Sequence, residues 1–150
     1  NEIIDEMIFS LSLYGRAISS LTNDDVRVSK RIFLPSSKLR GFEAGKVGPK
    51  DSEDFIGGNY ATAINAATTV PYIFQTLETM DMVVFLDAAN VWGVDYSDTI
   101  DDSDKIRSSF GVAIDWFTVI GPVNFSLAQP ITKASTDKTQ SFRFQIGTTF

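Results

Sequence analysis

Apolar and polar residues alternate along most of the chain, and this period of two predicts β-strands. We predict seven strands, at residues 3–18, 26–33, 57–70, 82–92, 106–117, 123–130 and 142–150. The first strand has Phe9, Leu11 and Leu13 on one face and shows no apolar stripe at the 3.6-residue spacing of a helix. The pattern therefore predicts an all-β fold.

The predicted connections alternate in length: they are short after the first strand, intermediate after the third and very short after the fifth, and longer after the second, fourth and sixth. A soluble β-sandwich would show the same alternation within its strands, so the connections decide between the two classes. Outer-membrane barrels join their strands by short periplasmic turns and longer extracellular loops. We therefore predict a transmembrane antiparallel β-barrel with its apolar faces turned to lipid. The residues predicted to face the lumen include Asp87, Asp115, Arg143 and Gln145.

The composition excludes several kinds of chemistry. The chain has no His and no Cys, which removes Ser-His-Asp and Cys-His catalysis, disulfides and nearly every zinc or haem site. A formal net charge of −6 argues against a nucleic-acid partner. No apolar run approaches the roughly 18 residues of a transmembrane helix. We predict neither an enzyme nor a bound metal or cofactor.

One arginine and one aspartate stand out from this pattern. Arg40 lies in the long connection 34–56, beside Gly41 and Phe42, where a tight turn can present its planar guanidinium to a carboxylate. Asp87 is the only charged residue between Met82 and Trp92, and alternation places it on the face that would line the lumen. We infer that Arg40 folds into the barrel and meets Asp87. From these residues alone, a solvated loop arginine and an unrelated wall aspartate are an alternative.

A series of short motifs points to a family. The motifs are Leu39-Arg40-Gly41-Phe42, Gly57-Gly58-Asn59, Phe85-Leu86-Asp87, Asn90-Val91-Trp92, Arg107-Ser108-Ser109, Gly121-Pro122, Ala128-Gln129-Pro130 and the terminal run from Phe142 to Phe150. In this order they resemble the C-terminal barrel of the BamA family, the outer-membrane β-barrel assembly factors of Gram-negative bacteria. Each motif is weak alone, whereas the ordered series is specific.

The resemblance implies a sixteen-stranded barrel preceded by periplasmic polypeptide-transport (POTRA) domains. Residues 1–150 would supply the C-terminal seven strands or so, without the preceding strands and POTRA domains. In the family the loop matching Leu39, Arg40, Gly41 and Phe42 folds into the lumen, and its arginine contacts the wall residue matching Asp87. The last strand pairs weakly with the first, which gives a lateral seam. The implied partners are unfolded outer-membrane proteins, outer-membrane lipids and accessory assembly lipoproteins.

Two further features follow from the resemblance. Ala67 stands where a second lumenal carboxylate is common, so Asp87 is expected to bear more of the interaction with Arg40. The apolar residues of the last strand resemble the C-terminal signal by which outer-membrane barrels are themselves recognised. They are Phe142, Phe144, Ile146 and Phe150.

Three other functions stay open from the sequence. A related polypeptide transporter, of the TamA or two-partner secretion type, shares much of the layout. A passive porin and a soluble β-sandwich binding module are the remaining alternatives.

Overall fold

The computed structural model describes residues 7–70 and 79–147. Its strands are, in chain order, β1 (Ile8–Ala17), β2 (Gly41–Phe42), β3 (Lys50–Asp51), β4 (Asp54–Phe55), β5 (Tyr60–Val70), β6 (Met80–Trp92), β7 (Arg107–Thr118), β8 (Gly121–Thr132), β9 (Thr139–Gln140) and β10 (Phe142–Ile146). Six of them form one antiparallel sheet in the order β1-β5-β6-β7-β8-β10, and it is open at β1 and β10. The all-β, antiparallel prediction is confirmed.

The register of the sheet places the polar residues of neighbouring strands side by side. Ser12 of β1 lies opposite Asn65 of β5, which lies opposite Asp87 of β6, which lies opposite Ser109 of β7. The long connection between β1 and β5 packs on the face that carries Asp87. We call this the covered face and the opposite side the open face.

The prediction of a strand at residues 26–33 is wrong. The segment lies within the connection 18–59, where Val28–Lys30 forms a single 3-10 turn and Ile32 makes one isolated bridge to Gly58. Val26 and Ile32 are buried because the connection folds back over the sheet. Burial of two residues an even number of positions apart reproduces the alternation of a strand without any ladder. The main sheet therefore has six described strands instead of seven.

Removing that strand changes the connections. The segments 18–59, 93–106 and 133–141 join main strands at one end of the sheet, and residues 119–120 form the tight turn between β7 and β8 at the other end. The short link predicted after the first strand does not exist, and the contrast between the two ends is sharper than predicted. Most of the predicted turn at 71–81 lies outside the described residues, as do the first residues of the first strand and Phe150.

The connection 18–59 supplies an apolar layer for the covered face. Leu39 and Phe42 are among its buried residues, and they pack on strand residues that are small, chiefly Ala61, Ala63 and Ala89. Small side chains on β5 and β6 leave room for a whole layer of chain to lie close to the sheet. The alanines of β5, where apolar and polar residues alternate only weakly, therefore form the surface on which the connection packs.

The open face carries large apolar side chains that no part of the described chain covers. Leu13 is 73% exposed and Phe110 51% exposed. The remaining large ones include Phe9, Leu11, Ile64, Leu86, Val112, Leu127, Phe142 and Phe144. The predicted apolar faces thus point away from the packed side of the sheet. None of the helical turns in the described part of the chain is long enough to cross a membrane.

Gly111 of β7 makes room for an aromatic ring on the covered face. It lies opposite Phe85 of β6, and a Cβ built on Gly111 would lie 2.8 Å from Cζ of Phe85 and would collide with the carbonyl oxygen of Leu127. Because one of these neighbours is backbone, a side chain at position 111 displaces β8 as well as the ring.

Gly111→Ala is therefore expected to destabilise the protein by about 1–3 kcal/mol, the usual cost of overpacking. Gly15→Ala is the matched control in β1, because no heavy atom lies within 4 Å of a Cβ at that position. Thermal unfolding of the full-length protein in detergent should show a lowered midpoint for Gly111→Ala, and an unchanged or slightly raised one for Gly15→Ala. Equal shifts for the two variants would contradict the steric argument.

Candidate functional site

The segment 36–42 reaches the sheet through one helical turn and one glycine. A 3-10 turn at Ser36–Lys38 is followed by Leu39, with φ of −147° and ψ of 89°, and by a positive φ of 89° at Gly41. A Cβ on Gly41 would lie 3.0 Å from Cβ of Ala128 and 3.4 Å from Cβ of Ser109. Glycine is thus needed both for the backbone conformation and for the close approach to β7 and β8.

Arg40 and Asp87 form a two-pronged ion pair on the covered face. Nε of Arg40 donates to Oδ2 of Asp87 at 2.7 Å, and Nη2 donates to Oδ1 at 2.7 Å. This is the bidentate geometry in which a guanidinium and a carboxylate interact most strongly. The two residues that sequence reasoning paired are therefore brought together.

Asp87 is fully buried and fully satisfied. Besides the two side-chain bonds from Arg40, Oδ2 accepts the backbone N–H of Arg40 at 3.1 Å, and Oδ1 accepts Nδ2 of Asn65 at 3.0 Å. Four donors thus surround a carboxylate that has no contact with solvent. Leaving a buried carboxylate without its partner costs free energy, so Asp87 favours the conformation in which Arg40 is docked against it.

Three more contacts fix the loop backbone and the guanidinium. The guanidinium carbon of Arg40 lies 3.5 Å from the centroid of the Phe85 ring, a cation–π contact. The hydroxyl of Ser109 donates to the Arg40 carbonyl, and Nδ2 of Asn65 also donates to the Lys38 carbonyl at 2.8 Å. Side chains from β5, β6 and β7 therefore hold a single loop segment.

Leu39 and Phe42 anchor the segment on either side of Arg40 and Gly41. Leu39 is 2% exposed and Phe42 is 1% exposed, both within the apolar layer that includes Val47 and Val91. The four predicted loop residues therefore divide their roles: two pack, one forms the ion pair and one permits the close approach.

The remaining predicted site residues lie elsewhere. Phe142, Phe144 and Ile146 are exposed on the open face, where the Phe144 ring lies 5.0 Å from that of Phe125. Phe150 lies outside the described residues. Ala67 is opposite Phe85 in the ladder, and the second contact to Asp87 comes instead from Asn65.

A second buried ion pair was not predicted. Nε of Arg107 donates to Oδ2 of Asp137 at 2.8 Å, and both side chains are fully buried. Arg107 also donates to Asp102, to the Asn90 side chain at 2.8 Å and to the Lys105 carbonyl at 2.8 Å. Burial raises the pKa of the Asp102 carboxyl, and the neighbouring Arg107 guanidinium opposes that rise.

This second ion pair ties three connections together. Asp102 belongs to the segment 93–106 and Asp137 to the segment 133–141, and Asp137 also accepts the backbone N–H groups of Ala134 at 2.8 Å and Gly48 at 3.4 Å. Gly48 lies in the segment 18–59. Arg107 belongs to a sequence motif noted above, yet nothing local marks Asp137, 30 residues away, as its partner.

The arrangement provides hydrogen bonds and ion pairs that hold loops. In residues 7–70 and 79–147, no group of three or more His, Cys, Asp or Glu side chains is placed to hold a metal ion.

Comparisons with known proteins give a consistent picture. Residues 3–150 match the model of the Omp85 superfamily domain. The outer membrane protein assembly factor BamA of Neisseria meningitidis serogroup B is 30% identical over 139 residues, covering 75% of this chain and 17% of that protein. BamA of Neorickettsia risticii is 30% identical over 145 residues, covering 93% of this chain and 19% of that protein. The chain thus spans less than a fifth of these relatives.

A solved structure agrees with the sequence matches. The crystal structure of Haemophilus ducreyi BamA lacking POTRA domains 1–3 superposes with a TM-score of 0.84 at 26% identity. The match covers 93% of this chain and 31% of that one.

Removing one partner of the second ion pair should loosen all three connections. Asp137→Asn leaves Arg107 buried without its main counter-charge, and we expect a loss of about 3 kcal/mol of stability. Amide hydrogen exchange in 93–106, in 133–138 and at Gly48 of the connection 18–59 should rise in the full-length protein. Asp104→Asn is the control, because its carboxylate is 76% exposed and only 3.5 Å from Lys105, and it should change neither quantity. Equal effects of the two variants would contradict the assignment.

Proposed function

The chain belongs to the Omp85 superfamily, and we propose that it forms the last strands of the barrel of an outer-membrane assembly factor that folds and inserts β-barrel proteins. Its location is the bacterial outer membrane, since the family and the similar BamA proteins are outer-membrane β-barrels. The open face contacts lipid and the covered face lines the lumen. Further barrel strands and POTRA domains precede this part in the complete protein.

The docked loop carries the proposal. A bidentate ion pair between Arg40 and a fully buried Asp87 supports a loop that is held inside the barrel and can be released. Unit charges ~4 Å apart at an effective dielectric of ~20 attract by about 4 kcal/mol before desolvation and side-chain ordering are subtracted. A net value of about 1–3 kcal/mol holds the loop most of the time without fixing it permanently.

In this proposal the loop controls a lateral seam. The last strand and the first strand of the barrel pair weakly there, and an incoming chain adds its strands at the exposed edge by backbone hydrogen bonding. The partners are unfolded outer-membrane proteins, outer-membrane lipids and accessory assembly lipoproteins. The protein performs no covalent chemistry of its own.

Two observations favour an assembly factor over the alternatives. The relatives at 30% identity are assembly factors, which favours this role over a polypeptide exporter of the TamA or two-partner secretion type. A passive porin requires an open lumen, whereas the connection 18–59 packs an apolar layer on β5 and β6 of the covered face.

The ion pair is tested by a double-mutant cycle in the full-length protein. Arg40→Gln and Asp87→Asn should each shift the docked-to-free ratio of the loop by about tenfold, because ~1.4 kcal/mol corresponds to a factor of ten. The double variant should lose little more than either single one, since both remove the same interaction. Limited proteolysis within 36–46 reports docking, and Lys46→Gln is the control with equal charge loss in the same connection. Additive losses would exclude direct pairing.

The function itself is tested by reconstitution. Liposomes that contain the full-length protein should accelerate folding of a urea-denatured eight-stranded outer-membrane barrel, measured by its heat-modifiable gel mobility. Arg40→Gln should slow that folding, and Lys46→Gln should leave it unchanged. Folding no faster than in empty liposomes would refute the assembly function, and ion flux without folding activity would favour a porin.

Phe150 is proposed as part of the signal by which this barrel is itself assembled. Phe150→Ala should lower the amount of folded protein recovered in outer-membrane fractions. Phe110→Ala is the control, because it removes one ring of the same kind from the exposed open face. Equal yields of the two variants would leave position 150 without a special role.

A further inference from the structure

Arg143 of β10 contacts the docked loop on both sides of Arg40. Its Nη1 donates to the carbonyl of Ser36 at 2.5 Å, and its Nη2 donates to the carbonyl of Phe42 at 2.6 Å. These two carbonyls bracket the segment that carries the ion pair to Asp87. The last described strand is therefore joined by one side chain to the segment that β6 holds.

The chain just before β10 is joined to the same loop by backbone hydrogen bonds. β2 of the loop pairs with β9, so that Gly41 lies opposite Gln140 and Phe42 opposite Thr139. Glu43 N–H donates to the Lys138 carbonyl at 2.9 Å, which continues the pairing. β9 ends two residues before β10 begins, so the loop and β10 meet at a short, direct link.

In the described part of the chain, β10 pairs with one strand of the main sheet. It pairs over five residues with β8, whereas β7 and β8 pair over nearly their whole lengths. It has no neighbour on its other side in the six-stranded sheet. Ala128 N–H donates to the Ser141 carbonyl at 2.8 Å and Gly147 N–H donates to the Pro122 carbonyl at 2.8 Å, and the contacts of Arg143 with the loop add to these bonds in holding β10 in place.

The partners of Arg143 are neutral carbonyls, and this determines how the contact responds to the loop. Among the ion pairs of residues 7–70 and 79–147, none includes Arg143. Both acceptors belong to the backbone of one loop segment and move with it. When Arg40 leaves Asp87, the two carbonyls therefore leave Arg143.

We propose that Arg143 is a positioning residue that couples docking of the Arg40 loop to the position of β10. The proposal rests on the proposed function for its consequence, since β10 would form one side of the lateral seam. A docked loop holds β10 against β8, and a released loop frees β10 to pair with another strand. Because one side chain on β10 contacts the loop, docking of the loop and pairing of β10 with β8 are energetically coupled.

Hydrogen exchange in the full-length protein tests the coupling. Amide exchange of residues 142–146 should rise by about tenfold in Arg143→Gln, the size expected for losing hydrogen bonds from a charged donor. Arg40→Gln should raise exchange of the same residues although Arg40 does not lie on β10. In the double variant, Arg40→Gln should add less than it does alone, because the side-chain part of the link is already broken and only the backbone pairing of β2 with β9 remains. A purely local structural role for Arg143 would give additive effects.

One control and one second variant keep the test decisive. Arg16→Gln removes a lumen-facing arginine from β1 and should leave β10 exchange at the wild-type rate. Arg143→Lys keeps the charge but replaces the two-pronged donor by a single ammonium, so it should give an intermediate rate. It also serves if Arg143→Gln does not assemble. Wild-type exchange in Arg143→Lys, or additivity in the double variant, would overturn the proposal.

The exchange result is independent of the proposed function. If the wild-type protein fails to accelerate folding of a denatured barrel while the exchange effects are non-additive, the assembly function fails and the coupling holds. If it accelerates folding while exchange is additive, the coupling fails and the assembly function holds.

Discussion

A carboxylate with no solvent contact on the wall of a sheet is the constraint on which the rest depends. Asp87 needs four donors, and three of them belong to Arg40, which lies 47 positions earlier in the chain. The connection must therefore cross the face of the sheet to reach it. Gly41 allows that approach and Gly111 gives the Phe85 ring the place from which it supports the guanidinium. The roles of Gly41, Gly111 and Phe85 therefore all depend on the carboxylate of Asp87.

Three arginines hold the loops with graded strength. Arg107 is fully buried against Asp137 and Asp102, which makes that contact hard to break once formed. Arg40 faces one carboxylate and keeps 20% of its side chain exposed. Within residues 7–70 and 79–147, Arg143 binds two carbonyls and no carboxylate. The segments 93–106 and 133–141 are thus held by ion pairs to a fully buried guanidinium, and the segment that carries Arg40 is held by one ion pair whose guanidinium keeps some solvent contact.

Sequence reasoning succeeded where alternation and a lone charge coincide. Asp87 interrupts an apolar strand, so its face and its need for a partner can both be inferred from local sequence. The same reasoning failed at residues 26–33, because burial of Val26 and Ile32 under the folded-back connection imitates the pattern of a strand. It also missed the Arg107–Asp137 pair and the contacts of Arg143. Those contacts depend on how three connections fold over one another. The spacing of residues within one segment does not predict such contacts.

The place of the loop decides what it can stabilise. A sheet open at β1 and β10 leaves a row of unpaired backbone groups at each edge, and hydrocarbon tolerates no such row. The connection 18–59 packs on the face of the sheet, so it cannot satisfy those edges and other strands must. Its contact with β10 through Arg143 nevertheless acts on one of them. A loop on the face thereby influences how an edge strand pairs, and this requires only that the loop be held by an interaction that can be reversed.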